Sequence, residues 1–465
     1  MNSHFSSARF PSLGILFLCH WLGSGEYRLI KASGLGLAQP LINRVCCNSG
    51  LEELAIKGGP KTRVKPLPSR RDIGSEEMKE LIDVIWSGNL NRVGGLKVST
   101  FEKEFAKLYG VKHGIASTSG TASIHTALGA INPDPCSEII TGPISDIGSI
   151  VPILWQNCIP IFADIDPETY SLDPGDVERK ITDRTVAVLA IHLFGQCCSM
   201  DPLVKICREH GVYLIEDASQ AHLAEYKGRL AGTIGDIGCF SLQQSKQMTC
   251  GDGGITITNN DELAERARLF ADKAWPRDQA GERGYLFLAM NYRMTELQGA
   301  VAMAQLRKVQ DIVARRRLIG DTLTRLLSEV EGVNPPKVLP GSKHSYWLYP
   351  ITIDSKIFKV TPEEFAKAVS AEGIPASTGY IKKPLYMFRI LKDQVTYGSS
   401  HCPFDCPRYN RKIEYREGDC PNAEKVLGEL ITIPVNEFYT EEDVYDIFRA
   451  ISKVANYYAK HRHPS

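Results

Sequence analysis

Between residues 75 and 110 apolar side chains recur at the three- and four-residue spacing of a helix, first in EEMKELIDVIWS (76–87), then in STFEKEFAKLY (99–109). The pattern then changes. Short apolar runs bounded by turn residues follow: EIITG at 138–142, IPIFADID at 159–166, TVAVLAIHLFG at 185–195 and VYLIEDAS at 212–219. Such runs read as strands buried on both faces, separated by helical stretches such as MDPLVKICREHG (200–211). Buried strands alternating with helices predict an α/β fold, a mainly parallel central sheet with helices on both faces. GCFSLQQ and GGITITN, flanking residue 246, add two further strands.

A long helical pattern at about 294–330 is of a length to join two lobes. Beyond it a smaller α+β domain is expected: a strand at 345–353, a helix at 361–372, a loop-rich stretch at 383–420 and a last helix around 440–458. The chain thus divides into an N-terminal extension (1–53), a large α/β domain (54–320) and a small C-terminal α+β domain (321–465).

Composition changes this picture little. With 54 basic and 54 acidic residues the formal charge is zero, which points neither to nucleic acid nor to an anionic membrane surface. Arg315-Arg316-Arg317 reads as the solvated end of a long helix. The thirteen cysteines are scattered, and several stand inside strand-like runs, as reduced and buried thiols of a cytoplasmic protein do. Cys402, Cys406 and Cys420 offer three thiols without a second close pair, so no metal is expected there. No apolar run approaches the roughly 20 residues of a membrane-spanning helix. Residues 1–25 lack Asp and Glu and contain LGILFLCHWLG, but a dispensable, poorly ordered extension is favoured over a targeting peptide.

Three constellations carry chemistry. ASTSGTASIHTAL (116–128) is a Ser/Thr/Gly loop running into a helix, whose first N–H groups form a phosphate cradle or simply a capped helix start. IEDASQAH (215–222) places Glu216 and Asp217 at the carboxyl end of an apolar strand, where ligands of open α/β sheets gather and where turn-capping carboxylates are also common. CFSLQQSKQMTCGDGG (239–254) sets Lys246 between two strands, as an interior Schiff-base amine or as an ordinary loop lysine. Taken in order, a phosphate seat, a carboxylate and, 29 residues later, a lysine meet the needs of pyridoxal 5′-phosphate.

These segments resemble the DegT/DnrJ/EryC1/StrS aminotransferases, fold-type I enzymes that aminate keto sugars or keto cyclitols. The likeness runs from about residue 54 to the C-terminus through LAIKGGPKTR, STSGTASIHTAL, PIFADIDPETYSLDP, HLFGQ, IEDASQAH, GTIGDIGCFSLQQSK, CGDGG, NYRMTELQGAVAMAQL and CPNAEKVLGELITIPV. The resemblance implies that Lys246 binds the cofactor as a Schiff base and then moves protons, while Asp217 pairs with the pyridinium nitrogen. It further implies that Gln220 contacts the ring or its 3′-oxygen, that Gly120 and Thr121 offer backbone N–H groups to the phosphate, and that Ser241 adds a hydroxyl. Asn291 is expected to reach the cofactor phosphate of a second subunit, which implies a homodimer with shared sites.

The expected function is transfer of an amino group from glutamate or glutamine to a keto sugar, often nucleotide-linked, or to a keto cyclitol. Three other readings keep the fold: a sugar dehydratase, an amino-hydroxybenzoate synthase type and a cofactor-binding regulator. In dehydrating relatives a histidine replaces the lysine, so Lys246 disfavours the first. A regulator would carry a DNA-binding module, and residues 1–60 show no such pattern. Two departures from the family pattern stand out. In ISDIGSIV, Asp146 occupies the slot where an aromatic residue usually stacks on the cofactor ring, and the stretch 395–419 is longer and more polar than expected, a surface loop rather than a substrate-binding insertion.

Overall fold

The computed structural model describes residues 18–21, 27–30, 53–69, 71–277 and 284–460. Two units are present, Met1–Glu52 and Glu53–Ser465. In the first, Leu18–Trp21 pairs antiparallel with Tyr27–Ile30; the rest of the expected extension, including most of LGILFLCHWLG, lies outside the described residues.

The second unit is built on a seven-stranded sheet. Its strands are β1 (His113–Ser117), β2 (Glu138–Thr141), β3 (Ile159–Phe162), β4 (Thr185–Ile191), β5 (Tyr213–Asp217), β6 (Ile237–Ser241) and β7 (Gly254–Thr258), in the spatial order β1-β7-β6-β5-β4-β2-β3. All pairings among β2 to β6 are parallel, and β7 runs antiparallel to both its neighbours, β1 and β6. Alternation along the strands feeds two cores. Ile139, Leu189 and Ile215 face one, and Ile140, Val188 and Leu214 the other. Helices cover both faces, as the uniformly apolar strands demand. The expected α/β class with a mainly parallel sheet is the observed one.

The helices of this unit include α1 (Ser75–Ser87), α2 (Lys97–Tyr109), α3 (Gly120–Ile131), α4 (Met200–His210) and α5 (Asp261–Phe270), of which α3 reaches the site. The long pattern near 294–330 is a single helix, α6 (Glu296–Leu327), opened by a Thr295/Gln298 capping box. Its Val309 and Val313 lie in the core of Ile140, Val188 and Leu214, whereas Ile319, Leu323 and Leu327 lie in a third core beneath a second sheet. That sheet is antiparallel and joins β8 (Val333–Asn334), β9 (Leu348–Ile353), β10 (Ser377–Thr378) and β11 (Leu430–Pro434) in the order β8-β9-β11-β10. Helices α7 (Pro362–Ala371) and α9 (Glu441–Lys460) contribute Phe365 and Ile451 to its core; α8 (Pro421–Glu429) packs elsewhere.

Two of the three cores gather distant parts of the chain. Leu54 and Leu67 pack under the second sheet, while Leu385, Tyr386, Phe404, Tyr409 and Tyr415 join the core of Ile139, Leu189 and Ile215. The stretch 395–419 covers the β3 side of the large sheet. Tyr415 donates to the Pro160 carbonyl (2.7 Å) and Tyr409 to Glu138 (2.9 Å). Covering an edge strand removes a site of unwanted pairing. Within it Cys402 rests on Asn157, and just after it Cys420 is buried against Phe162; no group of three or more His, Cys, Asp or Glu among the described residues is arranged for a metal ion. Among the described residues, no helix is long and apolar enough to cross a membrane.

The arginine triplet is a correction. Arg316 is not solvated but one of the largest fully buried side chains, paired with Glu437 at 2.7 Å. The triplet stands in mid-helix where α6 passes between the two sheets, so one of its faces must be covered. Arg316 also donates to the carbonyls of Tyr346 and Trp347 (3.3 and 3.4 Å) and thereby fixes the backbone entering β9.

Candidate active site

The site forms at the carboxyl ends of β5 and β6, facing the amino end of α3. After β1 the chain turns through Ser119, whose side chain accepts from the Ala122 N–H (3.0 Å) and caps α3. A helix start leaves its first N–H groups without partners inside the helix and carries the positive end of the dipole. Gly120 lets this end press on β6, because a Cβ there would stand 2.7 Å from that of Ser241. Nothing larger fits.

Strand alternation then separates two adjacent carboxylates. Glu216 points away from the site and is wholly buried, bonded to His192 (2.8 Å) and to the N–H groups of Gly232, Ile234 and Gly235. Asp217 points into the cavity. Ser149 donates to its Oδ2 (2.7 Å), and the Ser219 N–H donates to its Oδ1 (3.1 Å). Glu216 is therefore a structural anchor of the Gly232–Gly235 turn, and Asp217 is the carboxylate held ready for a ligand.

Lys246 follows β6 in a tight turn closed by its own N–H to the Gln243 carbonyl (2.9 Å). The side chain is buried, and burial lowers its pKa to about 8 against the upward pull of Asp217 and Asp146. Its Nζ lies 3.6 Å from the centre of the Trp347 ring, a cation–π contact. Trp347 arrives from outside the large sheet. Its N–H donates to the Phe194 carbonyl (2.8 Å) and its indole to the Ser245 carbonyl (2.9 Å). In the HLFGQ turn after β4, Gly195 adopts φ +107°, and a Cβ would meet the Tyr346 nitrogen at 2.7 Å. Only glycine admits this docking.

One cavity of about 410 Å³ is lined by Gly120, Thr121, Asp217, Gln220, Ser241 and Lys246, so six of the seven expected residues come together. Gln220 accepts from the Phe194 N–H (2.8 Å) and donates to the Tyr380 hydroxyl (3.4 Å), which ties the strand end to the aromatic wall. Asn291 is exposed and stands outside the cavity of its own chain. Asp146 is on the wall, where its Oδ1 caps a short turn by accepting from the Gly148 N–H (2.8 Å). None of residues 395–419 lines this cavity. Sequence reasoning missed Trp347, Tyr380 and Ser149. The first stood within a run read only as a strand, and the second within a loop-rich stretch. Ser149 was detectable as the one hydroxyl following Asp146 in ISDIGSIV.

These residues fit pyridoxal 5′-phosphate. A cradle that tolerates no Cβ, a carboxylate at a strand end and a buried amine of lowered pKa surround a space of ligand size. The model of the DegT/DnrJ/EryC1/StrS aminotransferase family matches residues 71–406. The chain belongs to this family. Like the family it is an aminotransferase that depends on pyridoxal 5′-phosphate. It is 33% identical to an L-glutamine:2-deoxy-scyllo-inosose aminotransferase of Streptoalloteichus tenebrarius, over 88% of this chain and 99% of that one. It is 35% identical to a GDP-perosamine synthase of Caulobacter vibrioides, over 63% of this chain and 78% of that one. The solved structure of 3-amino-5-hydroxybenzoic acid synthase superposes with a TM-score of 0.74 at 25% identity, covering 85% of this chain and 100% of that one. The DegT/DnrJ/EryC1/StrS assignment thus agrees with both the fold and the cavity.

Proposed function

We propose that this aminotransferase moves an amino group from glutamine or glutamate to the carbonyl carbon of a polyhydroxylated ring, a keto cyclitol or a keto sugar that is free or nucleotide-linked. The observation that carries the reading is the convergence of the buried Lys246 amine, Asp217 and the amino end of α3 in one cavity. The choice of acceptor is supported by the relatives, of which the inosose aminotransferase is matched over 99% of its length. Glutamine as donor rests on that relative's name.

When bound, the cofactor supplies an electrophilic carbonyl and an electron sink for the carbon that loses its proton. Lys246 provides the amine that holds it and, when free, the base and acid that carry the proton at that carbon. Asp217, oriented by Ser149 and Ser219, keeps a proton on the ring nitrogen. The N–H groups of Gly120 and Thr121 and the Ser241 hydroxyl hold the phosphate. Gln220 faces the ring or its oxygen, and Asn291 of one subunit reaches the phosphate held by another, which makes the working unit a homodimer. In this reading the lobe of residues 54–320 binds the cofactor, and the lobe of 321–465 walls it with Trp347 and Tyr380. The buried thiols, such as Cys158, whose pKa burial pushes up to about 12, suit a reducing cytoplasm.

The test loads the enzyme with amine by incubation with glutamine or glutamate, then screens keto-inositols and keto-sugar nucleotides for return of the pyridoxal spectrum. Return with a ring ketone supports the proposal. A bound cofactor that exchanges no amine with either donor overturns it and favours a regulator.

A further inference from the structure

Resting on the role of Asp217 given above, we infer that Ser145 and Ser149 form a one-way hydroxyl relay onto Asp217. Ser145 is then a positioning residue that acts, through Ser149, on the carboxylate facing the cofactor ring nitrogen. The relay comes from a local turn. After β2 the chain leaves the sheet through Gly142 and Pro143, and ISDIGSIV (144–151) folds back on itself. The Ser149 N–H donates to the Asp146 carbonyl (3.1 Å) and the Ile150 N–H to the Ile147 carbonyl (2.9 Å), which brings positions 145 and 149 side by side. Gly148 lets this turn press on the phosphate cradle, because a Cβ there would stand 2.5 Å from the Thr121 hydroxyl. Ile144 and Ile150 flank the pair and are buried in the core of Ile139, Leu189 and Ile215. Ser145, Ser149 and Asp217 are 1%, 3% and 4% exposed, so bulk water offers them little as an alternative partner.

Counting protons gives the relay its direction. A hydroxyl has one proton to donate, whereas an ionised carboxylate only accepts. The Ser149 oxygen lies 2.7 Å from Asp217 Oδ2 and 2.7 Å from the Ser145 oxygen. Its proton is committed to Asp217, so the bond between the two serines is made with the proton of Ser145. In this direction both hydroxyl protons are bonded. The reverse direction turns lone pairs of Ser149 towards Oδ2 and requires the carboxyl group to bring a proton of its own. It also strands the Ser145 proton, because Ser149 is the only hydrogen-bond partner of that hydroxyl among the described residues. A buried donor without an acceptor is costly, so the chain runs one way. Each bond in it polarises the next, and Ser145 thereby strengthens what Ser149 gives to Asp217. Asp217 is held as an acceptor, and the proton it shares with the ring nitrogen stays on the nitrogen.

The other groups nearby do not substitute for this pair. Among the described residues Ser149 is the only side chain that donates to Asp217, the second donor being the Ser219 N–H on Oδ1. Cys239, paired with Asp217 across β5 and β6, turns its thiol to the Ser123 carbonyl at 3.6 Å. His222 is bonded to the Ser241 carbonyl at 2.8 Å. The Lys246 amine lies over the Trp347 ring, and Asp146 spends its Oδ1 on the Gly148 N–H. Oδ2 of Asp217 therefore depends on Ser149, and Ser149 on Ser145.

The test loads the holoenzyme with pyridoxal 5′-phosphate carrying ¹⁵N in the ring. The ring-nitrogen signal is recorded for wild type, Ser145→Ala, Ser149→Ala and the double variant, together with kcat and donor KM. Ser149→Ala is expected to move the signal towards that of an unprotonated pyridine and to lower kcat about ten- to a hundredfold, with donor KM little changed. Ser145→Ala should act in the same direction to a smaller degree, about three- to tenfold in kcat. Added to Ser149→Ala, it should change kcat by less than about twofold, since its route to Asp217 is already cut. An equal effect of Ser145→Ala in both backgrounds overturns the relay. So does a Ser145→Ala variant with the wild-type signal and kcat, even one of lowered melting temperature, because the serine is then a packing residue alone. Should Ser149→Ala not fold, the signal of Ser145→Ala decides by the same criterion. A wild-type holoenzyme whose ring nitrogen carries no proton removes the role of Asp217 and the relay with it, a result read before any variant is made.

Discussion

The floor and the wall of the cavity are built on different principles. The floor consists of strand ends and a helix start: Gly120 against Ser241, and Asp217 fixed by Ser149 and Ser219. Most of its parts come from the ends of strands of one sheet, and both oxygens of Asp217 have fixed partners. The wall is assembled across the molecule. Trp347 is held by the turn after β4 and by Arg316 of α6, and Tyr380 by Gln220. Floors of this kind serve the chemistry that every acceptor shares, whereas walls touch what differs between acceptors.

Five expected outcomes test this contrast. Lys246→Ala should reduce transamination by about 10⁴-fold or more, since nucleophile and proton carrier are lost together, and the cofactor absorbance should change with it. Asp217→Asn should cost about 10²- to 10³-fold in turnover while leaving the fold intact, as circular dichroism would show. Arg316→Met strands Glu437 in the interior and should cost about 3–5 kcal/mol of stability in denaturant melts. If Arg316 also places Trp347, the acceptor KM should rise in that variant even at temperatures where it is fully folded. Trp347→Ala should raise the acceptor KM roughly tenfold with little effect on the donor half-reaction. An equal loss in both halves would place Trp347 with the floor.

The last expectation concerns pH. Only the neutral amine attacks a carbonyl, and Lys246 is lowered to about 8. Cofactor capture by apoenzyme should therefore rise about tenfold per pH unit well below 8 and level off above it, as stopped-flow absorbance would record. A profile that keeps rising to pH 10 would mean an amine far more solvated than the buried Lys246 of this cavity.

Most of the floor was legible in the chain. The strands and helices follow from runs and periods that are local properties, and the three motifs stand at strand ends because the loops there are short. What local pattern does not encode is which distant segments meet. SYWLYPITI reads as a strand whatever its first residues touch, so Trp347 gave no sign of facing Lys246. Arg315-Arg316-Arg317 reads as solvated because burial of an arginine depends on a partner 121 residues away, Glu437. The stretch 395–419 reads as a polar loop, yet three of its aromatic side chains, Phe404, Tyr409 and Tyr415, are buried over the edge of the large sheet.

The sequence by itself determined the fold class, the order of the strands along the chain and the polar residues that meet in the floor of the cavity, because hydrophobic period, turn chemistry and strand-end position act over a few residues. Only the tertiary structure decided which carboxylate of the Glu216–Asp217 pair faces the cavity and where the aromatic wall comes from. Those depend on contacts between segments far apart in the chain. They arise when α6 carries the second sheet against the first, and no local preference specifies them.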